Sequence, residues 1–388
     1  MRTIKLRDIA SPISINISNP SDCGYDKFVG LEHYDSGEFV ISRYSGVKLL
    51  TSAAKEFKKN DILIARRNVY LKRAGIVKFD GITSGDSIIL RVNEHTVDTV
   101  GVPREIIEDY LPLVLNTEDF WLYANKHADG MNSKRISKDT LLDYEFMLPS
   151  EIEIKTISEK AWAAYRLKEA YKRLLVATDE MVKSQFIEMF GNPFENNSEM
   201  VPLSSLCSIN PSKPKGLDDS LFVSFIPMDR ISEDGEYSEF ETKQLRDVKK
   251  GFTYCVENDV LFAKITPCME NGKGAILKGL SNGIGFGSTE FHVLRPIHGI
   301  TNSEWLYFLT KLRGFRLDAA KNMTGTGGQK RVPFSYLLNF KVMRPPLEAQ
   351  KEFAAIVSQA DKSKYYVQNK LNIICHILTN QIQLRRCS

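Results

Sequence analysis

Several features that would announce a chemistry are scarce in these 388 residues. The six cysteines, Cys23, Cys207, Cys255, Cys268, Cys375 and Cys387, are scattered, form no CxxC pair and lack ligand-like histidine spacing. That argues against a metal site or a disulfide framework and for a reducing, cytoplasmic setting. No uncharged apolar run approaches the roughly 20 residues needed to span a bilayer, and the opening MRTIKLRDIASPISI lacks an apolar stretch of signal-peptide length. A soluble cytosolic protein with no membrane partner is expected. Charge of one sign is not in excess either, since 52 Lys+Arg face 48 Asp+Glu for a formal net charge of +4. A nucleic-acid partner must therefore be argued from where the cations lie, not from their sum.

Motifs for catalysis and nucleotide binding are also missing. Gly283 to Gly287 (GIGFG) precedes a strand-like STEFHVLR instead of linking a strand to a helix, so it is read as a turn leading into a strand. Gly325 to Lys330 (GTGGQK) has neither the phosphate-loop spacing nor the hydroxyl after its lysine, and reads as a polar loop. Arg344-Pro345-Pro346-Leu347 does not supply the asparagine or aspartate, two prolines and aromatic expected for methyl transfer to an adenine amine. His33, His95, His127, His292, His298 and His376 stand apart from any nucleophile motif and are read as surface or satisfied core residues. No catalytic residue is assigned.

What is present is an ordinary globular composition, 43% hydrophobic and 26% charged, long enough for two or three domains. The chain also repeats itself. Asn60 to Arg66 (NDILIAR) matches Asn258 to Lys264 (NDVLFAK), a strand after a turn in each case. In the same order, SGDSIILR (Ser84 to Arg91) faces STEFHVLR (Ser288 to Arg295), and Trp121-Leu122-Tyr123 faces Trp305-Leu306-Tyr307. Then Lys134-Arg135-Ile136 faces Lys330-Arg331-Val332, and LLDYEFMLP faces LLNFKVMRP.

Each half ends in a segment without proline or glycine, from about Ser150 to Phe190 and from about Leu347 to Arg386, with Gly191, Asn192 and Pro193 stopping the first. Ile157, Ala164, Leu167, Tyr171, Leu174, Thr178 and Met181 recur along the first at three- and four-residue steps. Phe353, Ile356, Ala360, Val367, Ile374, Ile377 and Leu384 do so along the second. Two stripes of similar length predict an antiparallel coiled coil with imperfect heptads; the alternative is that each helix docks on its own globular half. The expected fold class is α+β: two similar domains with mainly antiparallel, curved sheets, separated by two long helices and related by internal duplication.

The residues that carry function on this reading lie in two loops per half. Arg66, Arg67, Asn68, Tyr70, Lys72 and Arg73 follow the first NDxLxA strand; Lys264, Thr266, Asn271 and Lys273 follow the second. Asn132, Ser133, Lys134 and Arg135 precede the first helix, as Thr324, Thr326, Gln329, Lys330 and Arg331 precede the second, with glycines 325, 327 and 328 allowing close backbone approach. Arg, Asn and Gln can bond base edges bidentately, whereas Lys, Thr and Tyr suit phosphates or single contacts.

Over essentially its full length the chain resembles the specificity subunits of type I restriction-modification systems. The resemblance is carried by SQFIEMFGNP (Ser184 to Pro193), VPLSSLCSI (Val201 to Ile209) and MRPPLEAQKEFAAIV (Met343 to Val357), with a Pro-Leu-x-x-Gln element at Pro346, Leu347 and Gln350. The first half, LPSEIEIKTI from Leu148, lacks that glutamine. The resemblance implies a target recognition domain at 1–149, a central helix at 150–192, a second recognition domain at 193–346 and a distal helix at 347–388. Each domain would read half of a bipartite duplex DNA site, with the helices as a ruler between them. Two modification subunits would carry S-adenosylmethionine, and restriction subunits would use ATP and Mg, none of these being bound by this chain, which is non-catalytic itself. The competing classes are a protein-binding helical scaffold and a stand-alone nuclease or methyltransferase with degenerate motifs. Lengthening the central helix near Ala170 is expected to change the preferred gap between half-sites in a selection from random duplex DNA; an unchanged gap rules out the ruler.

Overall fold

The computed structural model describes residues 2–48, 50, 52–131, 133–192, 200–237, 239–326 and 328–383. Of the positions singled out above, Asn132, Pro193, Gly327, Leu384 and Cys387 lie outside the described residues. The chain folds as two compact units: Met1–Lys172 with Gln368–Ser388 (unit 1), and Arg173–Val367 (unit 2). Both are α+β, and both long helices pass from one unit's residues into the other's.

The NDxLxA repeat is explained by a turn that one aspartate holds shut. In unit 1 Asn60 takes φ +72°, a left-handed conformation that asparagine tolerates better than most residues. Its N–H donates to the Val77 carbonyl (2.8 Å), while the Asp61 carboxylate accepts from the Lys58 N–H (2.7 Å). The same carboxylate takes the Arg91 guanidinium as a fork, Nε and Nη2 each at 2.7 Å. Unit 2 repeats each bond: Asn258 at φ +66°, its N–H on the Leu277 carbonyl, Asp259 on the Val256 N–H, and Arg295 forked onto Asp259 at 2.8 and 2.7 Å. Asp61 and Asp259 are each only 1% exposed.

From that turn the strand Ile62–Ala65 enters the centre of a five-stranded sheet, between Ser87–Val92 and Ala74–Val77, with Ala10–Ile13 and Val40–Ile41 at the edges. In unit 2 Val260–Ala263 lies between Phe291–Pro296 and Gly274–Ile276, with Cys207–Ile209 completing four strands. The registers correspond, Ile62 opposite Leu90 and Val260 opposite Leu294. All four residues of each central strand are buried, which is why it reads as a continuous apolar run. A second sheet, of four strands, sits in each unit, and pairing is mainly antiparallel, the parallel exceptions being Phe28–Val29 with Gly81–Ser84, Val40–Ile41 with Ala74–Val77, and Phe222–Ile226 with Ile284–Gly287. The GIGFG segment belongs to that second sheet: Ile284–Gly287 is itself a strand, paired with Phe222–Ile226 and Thr253–Val256, not a turn leading into one. A side chain at Gly285 would meet Ile226 at 2.7 Å and the Cys255 sulfur at 2.9 Å, so the glycine serves packing.

The Trp-Leu-Tyr elements fall on the helices Glu118–Lys126 and Ser303–Lys311, capped by Thr117 and Asn302, and bury Trp121 and Trp305. The long helices run Glu151–Phe190 and Leu347–Gln383. Gly191 closes the first at φ +66°, its N–H on the Ile187 carbonyl. In unit 2 Phe353 meets the rings of Phe186 and Phe190 at 5.3 and 5.7 Å, and Lys364 pairs with Asp179 at 2.9 Å, so the two helices run antiparallel there. They also dock on the globular part, since Phe190 packs on Trp305. In unit 1 Ala161, Ile374 and Leu378 share a cluster with Phe39 and Leu113. The two options for the helices, mutual packing and docking, are thus both realised within each unit.

The expected seam needs correcting on the first helix. Its fully buried positions are 154, 158, 161, 168, 182, 186 and 190, with 165, 172, 175 and 179 half-buried along the same line. Of the expected positions Ile157, Ala164, Tyr171 and Thr178 are half-buried, whereas Leu167, Leu174 and Met181 stand 46%, 48% and 46% exposed. A search for apolar residues misses this seam because it contains Ser158, Lys168, Lys172 and Asp179. Lys168 is buried, its charge met by Glu38 at 2.7 Å, and Lys172 holds the other Glu38 oxygen at 2.8 Å. These two lysines hold the Glu38 carboxyl below the ordinary value against the opposing effect of burial. On the second helix Phe353, Ala360, Val367 and Ile374 are buried as expected, Val357, Leu371 and Leu378 join them, and Ile377 is exposed.

Because removing one partner strands a buried charge, Arg91→Met or Arg295→Met is expected to destabilise its own unit by about 3 kcal/mol. Denaturant unfolding of the full chain, followed by hydrogen exchange in each unit, checks this; a loss below about 0.5 kcal/mol contradicts the role given to the pair.

Candidate nucleic-acid interface

The two loops expected to act in each half are joined, and by main-chain bonds. In unit 1 the Asn68 N–H donates to the Lys134 carbonyl (2.8 Å), and the Ile136 N–H donates to the Arg66 carbonyl (3.0 Å). In unit 2 the Thr266 N–H donates to the Lys330 carbonyl (3.0 Å) and the Val332 N–H to that of Lys264 (2.8 Å). Each second loop also closes on itself, through Asp129 and Arg135 in unit 1 and through Thr324 and Arg331 in unit 2. Gly130 (φ +115°) and Gly325 (φ +128°) occupy the same place in these closures. A Cβ there would lie 2.9 Å from the Ser133 carbonyl oxygen or 2.5 Å from that of Gln329, so glycine is required for the close approach.

On this shared frame the expected residues separate into those whose side chains are occupied and those left outward. Lys72 (φ +50°) pairs with Glu118 at 2.6 Å. Arg73 donates to the carbonyls of Leu31 (3.1 Å) and Arg67 (3.2 Å), and Lys273 does the same to Met228 (3.2 Å). Asn271 bonds Glu233 (2.6 Å), and Arg331 is clamped on Glu290. These serve the frame. Arg67 donates Nε to the Ser133 hydroxyl (2.8 Å), which in turn lies 3.4 Å from the Asn68 amide oxygen. Tyr70, Lys134, Thr326, Gln329 and Lys330 are exposed, and no hydrogen bond or ion pair joins their side chains to another described residue. Thr266 Oγ1 bonds the Lys330 carbonyl (3.3 Å). Arg66 and Lys264 are half-buried at the feet of the loops, and Arg66 buries its Nε without a partner.

Sequence reasoning missed the groups behind the loops. Asp86 lies 3.9 Å from Arg67 and 3.4 Å from Arg135, and its carbonyl accepts the Arg66 N–H. Lys55 is close enough to Arg66 and Lys138 that burial first, and then those two charges, hold its amine below the ordinary lysine value. Cations thus crowd one carboxylate in unit 1. In unit 2 Glu290 takes the place of Asp86, its carbonyl accepting from Lys264 N–H, and Arg331 holds its carboxyl below the usual range. The signal was available: SGD and STE set an acid five residues before the repeated arginine in both halves.

His292 is a satisfied core residue, as the sequence reading has it. Its Nε2 lies 2.8 Å from the Val332 carbonyl and its Nδ1 3.0 Å from the Asn210 amide nitrogen, which fits a neutral ring, and burial lowers its pKa. Among the described residues no cluster of His, Cys, Asp and Glu is arranged to hold a metal, five cysteines are free, and no helix is long and apolar enough to cross a membrane.

The model of a family described as the type I restriction modification DNA specificity domain matches residues 195–374. The specificity subunit of the EcoAI type I restriction enzyme of Escherichia coli is 43% identical over 178 residues, 44% of this chain and 30% of that protein. That of EcoEI, also from Escherichia coli, is 37% identical over 204 residues, 49% of this chain and 34% of that protein. The chain thus spans about a third of the length of these curated relatives. A solved structure concerned with complex assembly and conformational transition of the type I R-M system is similar over 98% of this chain and 96% of its own, with a TM-score of 0.53 and 15% identity. The S subunit of a type I restriction-modification system from M. genitalium is similar over 98% and 94%, with a TM-score of 0.51 and 11% identity. At such identities the likeness is one of fold.

The division of labour among loop residues is testable without DNA. Arg73→Met is expected to cost about 1–3 kcal/mol, because it removes charged hydrogen bonds to the Leu31 carbonyl, which is partly buried, and to that of Arg67, whereas Lys134→Ala and Gln329→Ala stay within about 0.5 kcal/mol of wild type. Equal losses for all three in thermal unfolding contradict the division.

Proposed function

We propose that the chain is a specificity subunit of a type I restriction-modification system, as the match of residues 195–374 to the DNA specificity domain and the two curated relatives support, and that it reads a bipartite, asymmetric duplex DNA site, one half-site per unit. The observation that carries this reading is the pair of loops bridged by the same main-chain bonds in both units but tipped with different side chains. Equal frames imply equal ways of approaching a groove; unequal tips imply unequal sequences read.

In unit 1 Arg67 and Arg135 offer forked donors suited to guanine, with Tyr70 and Lys134 beside them for phosphates. In unit 2 Gln329 has the donor and acceptor needed for an adenine edge, with Thr326 and Lys330 flanking it. Sequence-independent attraction comes from these lysines and arginines, so binding weakens steeply with salt. The recognition domains correspond to 1–149 and 193–346. Chemistry belongs to partners: modification subunits that transfer a methyl group from S-adenosylmethionine, and restriction subunits that use ATP and Mg. This chain supplies the address and no catalytic step, and two modest interfaces on one polypeptide gain from each other's effective concentration.

Selection from random duplexes, with the chain bound to its methyltransferase partner, is expected to recover two short conserved blocks separated by a fixed gap. Arg67→Ala then relaxes one block only and Gln329→Ala the other, each by about 1–3 kcal/mol of discrimination. Recovery of no split consensus, or equal relaxation of both blocks by either substitution, overturns the proposal.

A further inference from the structure

We infer that Asp86 and Glu290 are positioning residues for DNA reading: each grips the arginine at the foot of its unit's second loop, and the unequal grips leave Arg135 available to DNA while keeping Arg331 as a strut. The inference rests on the chain being a DNA reader and concerns which arginines do the reading.

The two carboxylates occupy the same place in the duplication. Asp86 accepts the Arg66 N–H through its carbonyl as Glu290 accepts that of Lys264, and each lies five residues before the arginine that locks the buried aspartate. Arg135 and Arg331 are likewise equivalent, each closing its loop onto Asp129 or Thr324. The grips differ because glutamate is one methylene longer. Glu290 reaches Arg331 with both oxygens: Nε to Oε2 at 2.9 Å, Nε to Oε1 at 3.2 Å and Nη2 to Oε1 at 2.8 Å. Nη1 meanwhile turns to the Gln329 carbonyl at 3.4 Å. That occupies the face of the guanidinium that a guanine would need. Asp86 reaches Arg135 at 3.4 Å and Arg67 at 3.9 Å, a shared and looser hold that leaves donors on both arginines. Lys55 and Arg66 stand behind, so a phosphate arriving at this face meets more cations than one carboxylate offsets.

A carboxylate beneath a DNA-facing loop also opposes phosphates, so removing its charge acts in opposite directions on the two kinds of binding. Glu290→Gln releases Arg331. Its expected effects are nonspecific duplex affinity raised about threefold or more, a salt dependence steeper by about one charge, and relaxed preference in the block read by unit 2 alone. Asp86→Glu gives unit 1 the longer acid. It is expected to tie down Arg135, lowering discrimination in the block read by unit 1 about fivefold or more, with the melting temperature unchanged. Glu290→Asp, which keeps the charge and shortens the reach, relaxes the unit 2 block without the gain in nonspecific affinity.

The full chain with its methyltransferase partner is assayed on selected and on random duplexes across a salt series. A wild-type complex that selects no sequence refutes the DNA-reading proposal and this inference with it. A wild-type complex that selects a split site, alongside variants matching it in consensus and salt slope, refutes the inference alone. So does a variant that loses specific and nonspecific binding in parallel with its melting temperature, since that is the mark of a merely structural acid.

Discussion

A buried aspartate forked onto an arginine 30 positions further on in unit 1, and 36 in unit 2, is the constraint on which each unit is built. Asp61 with Arg91, and Asp259 with Arg295, tie the turn before the central strand to the end of the strand beside it. The same carboxylate closes its own turn through the Lys58 or Val256 N–H, so turn, strand and register are fixed at one point. An isolated buried charge would be prohibitive; with a two-pronged partner and a backbone donor it is met on every side. The loop leaving the far end of that strand inherits a fixed origin, and the residues at its foot, Arg66 and Lys264, can bond the second loop at the same point in both units.

The duplication was legible because it is local: each NDxLxA match encodes a left-handed asparagine, a capping aspartate and a buried strand within seven residues. The helices were legible as helices for the same reason. The seam of the second was legible at Phe353, Ala360, Val367 and Ile374, but that of the first was so only in part, because burial of Lys168 depends on Glu38, 130 positions away, and half-burial of Asp179 on Lys364, 185 positions away. Apolar periodicity cannot see a partner at that distance. The loops show the same division. Their polar, cationic character was visible, but whether Arg73 faces outward or props up Leu31 and Arg67 depends on carbonyls that only folding brings near.

Likeness between the units stops where their surroundings differ. Gln350, fully buried, accepts from the Asn302 N–H and donates to the carbonyls of Ile300 and Pro345, thereby tying the start of the second long helix to the cap of Ser303–Lys311. In unit 1 the corresponding position is Ile154, equally buried, and the cap of Glu118–Lys126 is closed by Thr117 on its own turn. One junction is satisfied by hydrogen bonds and the other by apolar packing, which accounts for the glutamine missing from the first half. Ile88 and His292 differ in the same way, the imidazole bonding Val332 and Asn210 where its counterpart is simply aliphatic.

The bonds that join the two loops in the same way in both units run between main-chain atoms, with side-chain bonds such as Arg67 to Ser133 added to them. Amide and carbonyl groups are indifferent to the side chains they carry, so mutation at the tips leaves the scaffold's closure untouched, provided the tight glycines stay. A lineage can therefore drift from one target to another through intermediates that still fold, each half wandering independently of its twin. Proteins whose recognition loops are stapled by side chains must change the staple and the reader together, and pass through broken states to do so.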